Sequence, residues 1–108
     1  GIDGALGTDD SGSLLQNISD QKGAIGYVAY SYLVNNDSVA ALGIDGVKPS
    51  LEATYNGEWP IWGYEHMYTK GAPSGVIKDY LDFIMGEAFG KTLEEKGYNI
   101  TSKMKEER

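Results

Sequence analysis

Ile61-Trp62-Gly63-Tyr64-Glu65-His66-Met67-Tyr68-Thr69 alternates with period two. Trp62, Tyr64, His66 and Tyr68 share one face; Ile61, Gly63, Glu65 and Met67 share the other. Large apolar groups stand on both faces, so the stretch reads as a strand covered on two sides. Gly71-Ala72-Pro73 breaks it, and Pro73 suits the first turn of a helix. Val76, Ile77, Tyr80, Leu81, Ile84 and Met85 then make an i, i+4 stripe along that helix. A second short helix, about 87 to 96, carries Ala88, Phe89 and Leu93 and stops at Gly97. A strand followed by helices points to an α/β chain.

Upstream, Glu58-Trp59-Pro60 is the natural crossing point into a stretch of different texture. Ser11 is a good helix N-cap for Leu14, Leu15 and Ile18, with Gly23 as a left-handed stop. Ala24 to Ala29 and Ser38 to Ile44 read as strands, the first buried and rich in strand-favouring residues. Gly26 inside the first implies close approach of another element. Tyr30 to Val34 reads as a helical turn closed by Asn35-Asn36. Asp45-Gly46 is a hairpin signal, because a type I′ turn needs two residues at positive φ. Ser50 caps a short helix over Leu51 to Tyr55, ended by Asn56-Gly57. Residues 101–108 are polar and should fray.

The chain has 108 residues, room for one modest core. Nine basic against sixteen acidic residues leave a formal charge of −7. Bulk attraction to nucleic acid or anionic lipid is excluded. There is no Cys and one His, so thiolate chemistry and multi-histidine metal sites are excluded too. No catalytic residue set, cofactor motif or metal-ligand pattern is present, and the chain does not read as an enzyme.

Gly23-Ala24-Ile25-Gly26-Tyr27-Val28-Ala29-Tyr30-Ser31-Tyr32, followed by Asn35-Asn36, resembles the phosphate-binding proteins of the bacterial phosphate-specific ABC importer (PstS-type). Gly46-Val47-x-Pro49-Ser50-x-Glu52 continues the resemblance in order. Trp59-Pro60-Ile61-Trp62-x-Tyr64-Glu65-His66-Met67-Tyr68-Thr69-Lys70 is similar to the Gram-positive branch. Ile84 to Gly90 and Lys96-Gly97-Tyr98 match the closing part. The resemblance implies part of a type II periplasmic-binding-protein fold, a mixed sheet flanked by helices. Residues 1–57 would be the later part of the second lobe. Residues 58–108 would be the crossing strand and the C-terminal helices that pack on the first lobe. Only the C-terminal portion of such a protein is matched, and Gly1 in place of Met fits a piece of a longer chain. The implied function is extracytoplasmic phosphate binding for an ABC importer, on a membrane-anchored protein at a Gram-positive cell surface. The implied partners are inorganic phosphate, the importer's membrane subunits, and either another copy or the missing N-terminal half. The 60–100 segment is the expected element of exchange between copies. The alternative is a ligand-free interaction or adhesion module built on the same lobe.

The family's main phosphate ligands lie upstream of this stretch. What this chain offers is Ser11-Gly12-Ser13, where two hydroxyls and free N–H groups meet the positive end of a helix. Asp9 and Asp10 beside it repel an anion, and a plain helix cap is the competing reading. Tyr27, Tyr30 and Tyr32 would reach a cleft or fill the core. His66 reads as a pH-sensitive hinge group or a packed ring. Trp59 and Trp62 read as a stacking platform or as packing. Glu65 and Lys70 read as an ion pair. Glu94-Glu95-Lys96 and Lys103 to Arg108 read as solvated faces.

Overall fold

A computed structural model describes Gly7 and residues 10–108. Two compact units emerge, Gly1–Ala41 and Leu42–Arg108. In the first, helix α1 spans Ser11–Asp20. Its N-cap is Asp10, one residue before the expected Ser11. The carboxylate accepts both from Ser13 N and from Ser13 Oγ, each at 2.8 Å. A carboxylate offers two separate charged oxygens, one for each Ser13 donor, where the Ser11 hydroxyl would offer a single neutral one. Leu15 is buried. The helix stops at Asp20, and the turn closes through Ala24 N to Gln21 O at 3.0 Å over Gly23 at φ +84°. A 3-10 turn follows at Tyr30–Tyr32, with Leu33 as its C-cap, and Asn35 beyond it stands at φ +59°.

In the second unit, Asp45 (φ 51°) and Gly46 (φ 81°) form the expected tight turn, with Ile44 and Val47 paired antiparallel across it. Helix α2 spans Leu51–Tyr55, capped by Ser50 Oγ accepting from Ala53 N at 3.0 Å. Ala53 and Thr54 are buried. Glu58 N and Trp59 N both donate to Ala53 O, which folds the chain back under α2. Helix α3 spans Gly75–Ile84 with N-cap Ser74, two residues later than Pro73 suggests. Helix α4 spans Glu87–Glu95. Phe83 and Phe89 meet with ring centroids 5.5 Å apart, joining α3 to α4. Tyr98 N reaches Leu93 O at 2.9 Å and Gly97 N reaches Glu94 O at 3.0 Å, with Gly97 at φ +91°. That pair of bonds is a Schellman cap. Ile100 folds back onto Gly90, where a Cβ would lie 2.8 Å from Ile100 Cδ1.

The expected α/β class with a mixed sheet is wrong for this chain. Among the described residues there is no strand and no sheet beyond the Ile44–Val47 bridge. Residues 24–29, 38–43 and 61–69 carry no ladder. Alternation identifies an extended two-faced segment, but a strand exists only where a neighbour supplies N–H and C=O groups in register. The hairpin turn survives because its two bonds are local. Helices survive for the same reason, since each closes its own hydrogen bonds.

Candidate functional site

The Ser11-Gly12-Ser13 turn sits at the N-terminus of α1, as the sequence suggests. Its donors face an internal anion. Asp10 takes the backbone and hydroxyl protons of Ser13, and a Cβ at Gly12 would lie 3.2 Å from Asp10 Oδ1. Hydrogen bonding from Ser13, backbone first and hydroxyl second, holds the Asp10 carboxyl below its ordinary range. Asp10 is therefore charged at neutral pH and occupies the position an oxyanion would take. Asp9 lies outside the described residues.

The other candidates do not converge on this turn. Tyr27 is 91% exposed, and Tyr30 is half-buried in the 3-10 turn. His66 is exposed, its ring tilted 6.1 Å from that of Tyr68. Trp59 and Trp62 are half-buried and make no open platform. Trp62 packs edge-on against Tyr64 at 5.2 Å and lies under the Arg108 guanidinium at 4.2 Å. Glu65 and Lys70 are both exposed, and the ion pairs among the described residues are instead Lys78–Asp82 and Lys103–Glu94. An open depression of about 400 Å³ lies beside α2, lined by Val47, Lys48, Ser50, Glu52, Asn56 and Glu58 among others. Its lining mixes one cation with two carboxylates and favours no anion. Among the described residues, no cluster of three metal-ligating side chains forms.

The best-built polar cluster was not legible in the sequence. Tyr55 Oη donates to Glu94 Oε2 at 3.0 Å and accepts from Ile100 N at 2.7 Å. Lys103 Nζ reaches both oxygens of Glu94, at 2.9 and 3.1 Å. Asn99 Nδ2 donates to Leu51 O at 3.0 Å. Glu94 and Lys103, read as solvated, thus brace α2 against α4. Their separation from Tyr55 along the chain left no short motif to find. Burial raises the Tyr55 phenol above its ordinary value, and the bond to Lys103 lowers the Glu94 carboxyl.

The comparisons with known proteins bear on this arrangement. The phosphate-binding protein PstS of Bacillus subtilis (strain 168) is 45% identical over 98 residues, covering 90% of this chain and 32% of that protein. PstS-type phosphate-binding proteins are its relatives. The phosphate-binding protein PstS 2 of Streptococcus agalactiae, in serotypes V and III, is 30% identical over 97 residues, 89% of this chain and 32% of the relative. The chain thus spans about a third of the length of the curated PstS relatives it matches. No family model matches it, and no solved structure does. The resemblance read from residues 23–36, 46–52 and 59–70 agrees with that relationship.

Proposed function

We propose that this chain belongs to a phosphate-binding protein that works outside the cytoplasm, held to the membrane, and hands phosphate to the membrane subunits of an ABC importer. The observation that carries this reading is the 45% identity to Bacillus subtilis PstS over 98 residues. In the complete protein, residues 1–57 would stand with the second lobe, and residues 58–108 would cross to the first. The matched stretch would be its C-terminal third. A formal charge of −7 is compatible with oxyanion binding. Neutral N–H and O–H donors act at about 3 Å, whereas the overall field is screened within about 8–10 Å. The donors this chain would add are those of Ser11, Gly12 and Ser13, once phosphate replaces the Asp10 carboxylate at the helix end.

Calorimetry of the complete protein with phosphate, and with sulfate as the competitor, tests the reading. Phosphate-selective heat supports it. A folded complete protein that gives no heat overturns it and favours the ligand-free interaction module. Ser13→Ala in the complete protein is expected to weaken phosphate binding by about tenfold, the worth of one hydrogen bond to a charged group. Unchanged affinity leaves the turn as a helix cap alone.

A further inference from the structure

Asn56 is the C-cap of α2, and it is the one Asn of the chain followed by Gly. Such a pair is chemically labile, because the backbone nitrogen after an Asn can attack the side-chain amide carbon. A side chain on the following residue obstructs that approach, and glycine has none. Gly57 is fixed here on two counts. Its φ of +79° is a conformation that other residues rarely adopt, and a Cβ there would collide with the Glu106 carboxylate. The turn therefore cannot shed the reactive pair by substitution without strain. Asn17 and Asn99 are each followed by a β-branched Ile, which shields the nitrogen. Asn56 is exposed, so water reaches it.

The fold holds the pair out of reaction. Asn56 has ψ −5°, which turns Gly57 N away from the rotation in which it eclipses Cβ and can reach the amide carbon. Gly57 N also donates to Thr54 O at 3.2 Å, and Asn56 N donates to Glu52 O at 3.0 Å. The amide itself is held from the far end of the chain. Lys105 Nζ donates to Asn56 Oδ1 at 2.7 Å, and Lys105 N donates to Tyr55 O at 3.1 Å. Attack therefore needs the last turn of α2 to open and the Lys105 bond to let go. The same ammonium polarises the amide carbonyl, but that helps only once the nucleophile is in reach.

We propose that Asn56 is a site of spontaneous modification, deamidation through a cyclic imide, and that Lys105 slows it by holding the amide away from Gly57 N. In the reaction Gly57 N forms a bond to Asn56 Cγ. The Cγ–Nδ2 bond breaks, and ammonia leaves with the proton that Gly57 N gives up. Water then opens the imide at either carbonyl, giving aspartate or isoaspartate, and nothing is oxidised or reduced. Either product carries a new carboxylate beside the Lys105 ammonium. Isoaspartate also adds a methylene to the main chain just before Glu58 N and Trp59 N fold back onto Ala53 O, which loosens that return. The inference stands on contacts inside this chain and is independent of phosphate binding.

The full 108-residue chain, incubated at mildly alkaline pH and mapped by peptide mass spectrometry, tests this. Asn56 is expected to show the mass gain of amide-to-acid conversion ahead of Asn17 and Asn99, with isoaspartate among its products. Conversion no faster than theirs overturns the site. In urea, where α2 is open, Asn56 should convert about tenfold faster than in the native chain. Equal rates overturn the restraint. Lys105→Ala is expected to raise the native rate about threefold, the worth of one exposed bond to a charged group, and to leave the rate in urea unchanged. That split separates holding from polarising, and a native rate that falls or stays put overturns the role of Lys105. If Lys105→Ala loses its helical circular dichroism, Lys105→Met takes its place, because it keeps the apolar stem without the donor.

Discussion

A side chain at residue 26 would have to displace α1. A Cβ there falls 2.8 Å from Ile18 Cδ1 and 3.3 Å from Leu14 Cδ2. The sequence places Gly26 in a buried strand; the chain there is extended, exposed and unpaired, yet the close approach it implies is real. Gly26→Val should cost about 1 kcal/mol, the low end for overpacking, because the displaced atoms end flexible side chains. Coincident denaturant midpoints would show that α1 yields freely. Tyr55 is the residue with most to lose. Tyr55→Phe strands the Ile100 N–H and leaves Glu94 Oε2 with Lys103 alone, and should cost about 1–2 kcal/mol by chemical denaturation. The same cluster sets a pH window. Glu94, hydrogen-bonded by Lys103, has its carboxyl lowered, so its contribution is present above the ordinary carboxylate range and is lost as pH falls through the lowered value. Tyr55, raised chiefly by burial, and Lys103, raised chiefly by Glu94, act in the opposite sense. Their contributions are full below their ordinary values and are lost as pH rises through the raised ones. A denaturation midpoint flat near neutrality and falling at both ends is expected; Tyr55→Phe should blunt the alkaline fall.

At the scale of elements, α3 divides cleanly by what its residues do. Its charged pair, Lys78–Asp82, is exposed on both sides. Lys78→Ala should therefore move stability by no more than about 0.5 kcal/mol, read from the same denaturation curves. Its apolar residues are the informative ones. Val76 is 83% exposed, and Ile77, Tyr80, Phe83 and Met85 are all more than half exposed. The i, i+4 stripe thus announced the helix correctly and implied a cover that the described residues do not provide. The same distinction explains the rest. Ser50, Asp45-Gly46 and Gly97 were readable because caps, tight turns and helix stops are settled within a few residues. Residues 61–69 were misread as a strand because pairing is settled by segments far away in sequence. The 101–108 segment was misread as fraying because its contacts, to Tyr55, Asn56, Pro60 and Trp62, lie more than forty residues back. At the candidate site the helix N-terminus was legible, but not which neighbour would cap it. Asp10 and Ser11 are both good caps by type, and only the two bonds to Ser13 decide between them.

At the scale of the whole molecule, two expectations follow from how little this chain buries. The first concerns ligand. The Ser11-Gly12-Ser13 turn is filled by Asp10, so the isolated chain should bind phosphate more weakly than about 10 μM, or roughly −7 kcal/mol. A tighter calorimetric site would mean that the turn releases Asp10 readily. The second concerns association. Among the described residues, Leu15 and Ala53 are the buried hydrophobic ones, and no large side chain is fully buried. Four side chains of α3 and its C-cap Met85 leave roughly 600 Å² of mostly apolar surface to water, taking about 200 Å² for a whole large side chain. Tyr68, 87% exposed, and Ile61 and Met67 are further exposed apolar residues. Monomers seldom tolerate apolar patches beyond a few hundred Å². A stable interface needs about 800 Å² from each partner, so two copies face to face come near that threshold. A net charge of −7 on each copy opposes the approach, and salt screens that repulsion. Light scattering at micromolar concentration should therefore show dimers or larger species whose share grows with added salt, and Ile77→Lys with Tyr80→Lys should return the chain to monomer. A strictly monomeric chain at every salt concentration, with its helical signal intact, would mean that the apolar face of α3 is too small or too mobile to hold a second copy.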